Sequence, residues 1–290
     1  MWLERAAGVD GAAPNRGRTR RMPRVAQGRL SFERAGAATV LRDAYAESPL
    51  RLLTPGNHGE AAWVYTSTLG GGFVDGDRVR LRISVSAGAR AFVSTQGATR
   101  VYRSPQGCES ETVAEVAADG ALVLAPDPLA CFAGARFRQR TELDLAEGGS
   151  VALWDILSAG RSACGERWAF DRCSLGLALR QRGRTLLDES WLLDAAHGAL
   201  ADRLGRFEAL ATVLLAGPLF AAARERLLAQ LDAKPVVARS RLLESASALG
   251  ADALVVRLAA ASVEELLGAL RTRLGAIPAL LGDDPWARRA

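Results

Sequence analysis

The chain is poor in the residues from which most catalytic and metal centres are built. In 290 residues it has two histidines, His58 and His197, and one lysine, Lys234. Two imidazoles so far apart in sequence do not suggest a His-rich metal site, and no His-Glu-x-x-His helix is present. The four cysteines, Cys108, Cys131, Cys164 and Cys173, show neither a Cys-x-x-Cys pair nor zinc-type spacing. With no apolar stretch of a secretory signal, they read as free thiols in a reducing cytoplasm. The Gly-x-Ser-x-Gly elbow of serine hydrolases is missing. A membrane segment is also missing: the longest uncharged run, residues 209–223, is broken by Gly217-Pro218 and falls short of the ~20 residues a span needs.

The excess of positive charge is local. The net charge is +5, but residues 1–29 carry seven arginines against two acids, so the remainder is balanced. A balanced body has no nucleic-acid footprint. The tail, residues 1–27, is rich in Gly, Ala, Pro and Arg and reads as disordered. Residues 28–290 read as one domain, a β body over 28–200 and a strand and helix portion over 201–290.

The most informative stretch runs from Leu69 to Ser104. It opens on Gly70-Gly71-Gly72 and continues through Phe73-Val74-Asp75-Gly76-Asp77. Val79, Leu81, Ile83 and Val85 then alternate with Arg80, Arg82, Ser84 and Ser86, the period of a strand with one buried face. The glycines lead into a strand, whereas a dinucleotide fingerprint leads into a helix. No helix N-terminus is therefore available to hold a phosphate. The stretch predicts a Gly-rich turn and a hairpin that presents Asp75, Asp77, Thr95, Gln96 and Arg103 near strand ends.

Further strands with turn signals follow. Asp119-Gly120 predicts a hairpin between Glu111–Ala117 and Ala121–Leu124. Phe137, Gln139, Thr141, Leu143 and Leu145 share one side of Arg136–Ala146, and Glu147-Gly148-Gly149 turns the chain into Val151–Leu157. The fold class predicted is mainly β, an elongated body of antiparallel hairpins with two amphipathic helices in the C-terminal third. Pro218 opens the first helix, whose apolar face holds Phe220, Ala223, Leu227, Leu228 and Leu231. Ser262-Val263-Glu264-Glu265 has the spacing of a capping box for the second. From spacing alone, Asp75 and Asp77 are turn residues, and Cys131 is a packing thiol. The residues themselves thus point to a binding or assembly protein without an evident active site. One alternative is a β-rich small-molecule or carbohydrate-binding protein, although only 6% of residues are aromatic. Another is a metal-dependent enzyme using Asp75 and Asp77, which lacks supporting ligands.

Four strings, in order and spacing, carry a resemblance: GGGFVDGD, STQGATRVYRS, LAPDPLACFAGARFRQRTELDL and LSAGRSACGERW. Together they resemble the urease accessory protein UreD family, called UreH in some organisms, from about Gly28 to the helix after Ser262. The resemblance implies a non-catalytic scaffold with no tightly bound cofactor, required for inserting nickel into urease apoprotein. It implies UreF as a direct partner, in a heterodimer that dimerises further. It also implies recruitment of UreG, whose GTP hydrolysis drives insertion, and a tunnel through which Ni²⁺ passes transiently. Passage favours carboxylates, carbonyls and water, since a closed His/Cys site would trap the ion. On that resemblance the relay candidates are Asp77 in the Gly-Asp turn, Asp155 in Trp154-Asp155-Ile156, and Glu189 in the Asp188-Glu189 pair. The turn departs from the family at Asp75, where many relatives carry Gly.

Overall fold

A computed structural model describes residues 25–56 and 59–287. The expected tail lies outside the described residues except for its end, and His58 lies outside them too. The first strand starts at Ala26, two residues inside the span read as tail.

The strands follow in chain order as β1 (Ala26–Ala35), β2 (Ala38–Ala46), β3 (Leu50–Leu53), β4 (Ala62–Thr68), β5 (Arg78–Val85), β6 (Arg90–Thr95) and β7 (Thr99–Val101). Next come β8 (Cys108–Val116), β9 (Ala121–Ala125), β10 (Leu129–Cys131), β11 (Arg136–Leu145) and β12 (Ser150–Ser158). The pair β13 (Gly160–Arg161) and β14 (Glu166–Arg167) precedes β15 (Arg172–Gln181) and β16 (Arg184–Asp194). The C-terminal portion holds α1 (Leu200–Leu204), β17 (Ala209–Ala216), α2 (Ala221–Asp232), β18 (Leu242–Leu249), β19 (Ala253–Ala260), α3 (Val263–Arg273) and α4 (Ile277–Leu281).

Two large sheets result. The first has the order β16-β15-β11-β8-β5-β1-β2. The second has the order β18-β19-β17-β12-β9-β6-β4-β3, with β7 and β10 attached. The mainly β class and the two C-terminal amphipathic helices are as the sequence predicts. The pairing of the central strands differs from the expectation of antiparallel hairpins. β5, β8, β11 and β15 run parallel in the first sheet, and β4, β6, β9 and β12 run parallel in the second. The turns at Gly88, Asp119-Gly120 and Gly148-Gly149 cross from one sheet to the other and do not close hairpins. Each circuit of the chain therefore adds one strand to each sheet, and the opposite strand is the crossover that a parallel pair requires. Turn chemistry signals a reversal of the chain, and it is silent on whether the strand returns beside its predecessor or over it. Hairpins do occur at the ends of the coil, as β1-β2, β15-β16 and β18-β19.

Alternation places one core between the sheets. Val79, Leu81, Ile83, Leu143, Leu145, Leu153, Leu157, Leu177 and Leu214 belong to it. The second sheet is largely apolar on both faces, as the buried run of β9 and the run of β12, broken only at Asp155, require. Its outer face carries Trp63, Phe92, Trp154 and Ile156, and packs on Phe220, Leu227, Leu231, Leu266 and Leu270 of the helical layer. Trp154 stacks on Trp286 with centroids 5.0 Å apart. Ser262 caps α3, its hydroxyl accepting from Glu265 N at 3.2 Å, as the spacing predicts. The helices thus cover a sheet face.

Gly217 links the second sheet to that layer. Its φ of 90° and ψ of 170° are open essentially to glycine alone, and a Cβ there would lie 2.2 Å from Gly149 O and 2.5 Å from Ser150 Oγ. Gly217→Ala should cost roughly 3 kcal/mol, read as a shift in the urea midpoint. At Gly250, also left-handed but with open space around it, the same change should cost only about 1 kcal/mol. Equal losses at the two sites would contradict the packing argument.

Candidate functional site

The parallel register sorts the interior into levels, and one level is polar. In the first sheet, Ser110 and Gln139 stand side by side, followed by Leu175 and Trp191. The adjacent row reads Leu81, Thr112, Thr141, Leu177 and Glu189. In the second sheet, Asp155 of β12 is opposite Thr212 of β17, which is opposite Arg257 of β19. Thr66 and Thr95 pair on β4 and β6. All have the parity of the inward-facing core residues around them.

Part of this level encloses a cavity of about 410 Å³. Ser110, Thr112, Gln139, Thr141 and Asp155 line its inner wall, with Phe73, Val79, Leu81 and Phe137 among the apolar groups. Its rim is formed by Gly71, Gln96, Gly97, Ala98 and Arg100, which are exposed. The Gly-rich turn closes on this rim. Phe73 N donates to Arg100 O at 2.8 Å, and a Cβ at Gly72 would stand 2.5 Å from the same oxygen. Only glycine allows the two backbones to come so close.

Asp155 separates this cavity from a second of about 20 Å³, which it lines together with Leu157, Leu175, Leu177, Glu189, Trp191 and Thr212. Asp155 keeps accessible surface because it borders the cavities, yet it lies deep between the sheets. Removal from bulk water pushes its carboxyl up to about 6, against the opposing effect of a hydrogen bond from Gln139 Nε2 at 3.1 Å. Glu189 is bound by Arg257 Nη2 across the gap between the sheets.

The structure brings two of the three sequence candidates together: Asp155 and Glu189 border one cavity. Asp77 stands apart. Its carboxylate accepts from Val74 N at 2.9 Å, closing the turn, and it borders neither cavity. Asp75 likewise accepts from Gln106 N at 2.8 Å. Thr95 and Gln96, expected near strand ends, do reach the cavity. Sequence reasoning missed Thr112, Thr212 and Arg257. The signal was present at Gln139 and Thr141, two polar residues on an otherwise apolar side of β11. Among the described residues no three His, Cys, Asp or Glu side chains gather as a metal-holding group. The four cysteines are free thiols, three of them buried, and among the described residues no helix is long and apolar enough to cross a membrane.

A family model described as UreD urease accessory protein matches residues 24–289. "Urease accessory protein UreD" of Sorangium cellulosum is 48% identical, with 93% of this chain and 86% of that protein covered. The protein of the same name from Anaeromyxobacter is 41% identical over 91% of this chain and 90% of its own length. "Urease accessory protein D" of Arabidopsis thaliana is 27% identical over 91% of this chain and all of its own.

The elevated Asp155 value makes a stability prediction. In the folded chain the neutral carboxyl is favoured. The advantage is complete below the ordinary value of 3.8 and is lost as the pH rises through about 6. Above pH 6 the folded state carries an ionisation cost of roughly 3 kcal/mol. Asp155→Asn, which keeps an acceptor for Gln139, should match the parent near pH 4 and exceed it by that order at pH 8. Urea unfolding at both pH values reads the difference, and a gap that does not change with pH would refute the assignment.

Proposed function

This chain belongs to the UreD urease accessory protein family, and from that premise we propose that it is a non-catalytic scaffold for nickel insertion into urease apoprotein. A role in urease maturation follows from the family itself. The finer reading is that the chain joins urease to UreF in a heterodimer that pairs again. UreF in turn recruits UreG, whose GTP hydrolysis drives the step in the cytoplasm. Nickel is cargo, held in passing.

The observation that carries the reading is the polar level between the sheets. It leads inward from an exposed rim to Asp155 and on to Glu189, lined by hydroxyls, two amides and two carboxylates. Such oxygen donors hold Ni²⁺ weakly enough to release it, whereas thiolate and imidazole cages retain it. At neutral pH, above its value of about 6, Asp155 is mostly ionised and available to a cation. We assign the relay to Asp155 and Glu189, and give Asp77 the turn it closes. A small-molecule-binding reading draws on the same cavity, whose volume lies in the range of ligand sites. Against it, the lining offers only Phe73 and Phe137 as aromatic groups, so no stacking platform faces a sugar ring.

The deciding measurement is the nickel content of urease from cells expressing the urease genes with and without this chain. Nickel and activity should collapse in its absence; fully loaded urease would overturn the proposal. Within the intact complex, Asp155→Asn should lower activation at least roughly tenfold, the low end of what losing a group behind a metal ligand costs. Asp77→Asn should leave activation near the parent level. Reversal of that order would move the relay to the turn.

A further inference from the structure

The far end of the polar row carries a charge that a cation path does not need. Arg257 continues the line from Asp155 and Thr212 onto β19. The rows on either side are apolar: Leu153, Leu214 and Val255 on one, Leu157, Leu210 and Ala259 on the other. A guanidinium at this place has no apolar reason to be there. Its Nη2 donates to Glu189 Oε2 on β16, in the opposite sheet. The contact therefore spans both sheets at the end of the interior.

Two geometric facts define what this contact does. The cavity holds about 410 Å³ on the rim side of Asp155 and about 20 Å³ on the Glu189 side. The first has room for many waters, the second for about one, so the path narrows where Glu189 stands. The Glu189 side chain is 16% exposed and that of Arg257 36%. The carboxylate is held inside, while the guanidinium has a route to solvent.

Charge balance says what opens the contact. With both carboxylates ionised, Asp155, Glu189 and Arg257 leave one negative charge. A dication added beside a retained guanidinium leaves one positive charge. A dication that replaces the guanidinium leaves none, and an enclosed site favours the balanced state. We infer that Arg257 is a counter-ion gate, paired with Glu189 while the interior is empty and displaced to solvent by a divalent cation arriving from Asp155. Glu189 receives the cation only by giving up its ion pair, so the exit stays shut to an interior without cargo. The inference rests on the nickel-passage reading above. Arg257 is a positioning residue in it, since it acts through Glu189.

The experiment is calorimetric titration of Ni²⁺ into the full chain, with urea midpoints to check folding. Arg257→Met removes the competitor and keeps the apolar stem, and it should bind Ni²⁺ roughly tenfold more tightly than the parent. Glu189→Gln on top of it should erase that gain. Should Arg257→Met not fold, Arg257→Lys keeps the charge on a different head group and should give a smaller gain in the same direction. A folded Arg257 variant that binds Ni²⁺ no better than the parent overturns the gate. If the parent loses Ni²⁺ on Asp155→Asn while Arg257→Met changes nothing, the gate alone falls. If neither the parent nor any variant binds Ni²⁺, the gate and the passage reading fall together.

Discussion

Parallel strands held in register put residues of one level side by side, and the interior of this protein depends on that constraint. Every circuit of the chain adds a strand to each sheet with no slip from β4 to β12 or from β5 to β15. A one-residue slip in any strand would turn its inward set outward. Gln139 would then leave the cavity and Arg138 or Arg140 would enter the core. Leucine and valine at the neighbouring levels resist that exchange, because each buried aliphatic side chain contributes about 1.5–3 kcal/mol. The polar level is thus positioned by the apolar ones above and below it. It needs no strong interactions of its own to stay in place.

That division of labour bears on the chemistry. A row that had to hold itself together would need tight ion pairs or a metal, and either would compete with an ion in the passage proposed above. Here the hydroxyls of Thr112 and Thr141 and the amide of Gln139 are fixed by their strands. The one carboxylate deep between the sheets has a neutral partner, Gln139, and not a cation. Its ionisation is costly for that reason, and a carboxylate that pays for its charge has most to gain from a cation. Glu189, nearer the sheet edge, is satisfied differently, by Arg257 from the opposite sheet. The two carboxylates are chemically alike and electrostatically unlike, because one faces an amide and the other a guanidinium.

Legibility in the sequence followed the range of each interaction. Short-range signals were sound: the alternation in β5 and β11, the cap at Ser262, the apolar faces of α2 and α3. The Gly-rich turn was located correctly, but its reason was not visible. Gly72 is needed because Arg100, on β7, passes against the turn. The topology was not legible, since Asp119-Gly120 reverses the chain equally well within a sheet or between sheets. The polar level was half legible. Gln139 and Thr141 could be seen among leucines, yet nothing local joins them to Asp155, Thr212 or Arg257, which meet them only through register. Asp155 and Glu189 came from resemblance, not from pattern. Asp77 came from the same resemblance, and the fold uses its carboxylate to close a turn.

The helical layer completes the logic from the opposite side. Asp155 lies between Trp154 and Ile156, whose side chains point away from it into the second core. Trp154 is pinned by Trp286 near the C-terminal end of the described chain, and the outer face of β12 belongs to the same apolar cluster as Leu266 and Leu270 of α3 and Ile277 and Leu281 of α4. A strand with one polar inward residue among leucines can relax toward solvent at its edges, but β12 is central and both of its faces are packed. Its backbone therefore cannot shift to spare Asp155 the cost of enclosure, and the carboxylate is kept where burial raises its proton affinity. The C-terminal third, which reads as a simple cover for a sheet, is in this way part of what sets the charge state of the one acid in the middle of the cavity.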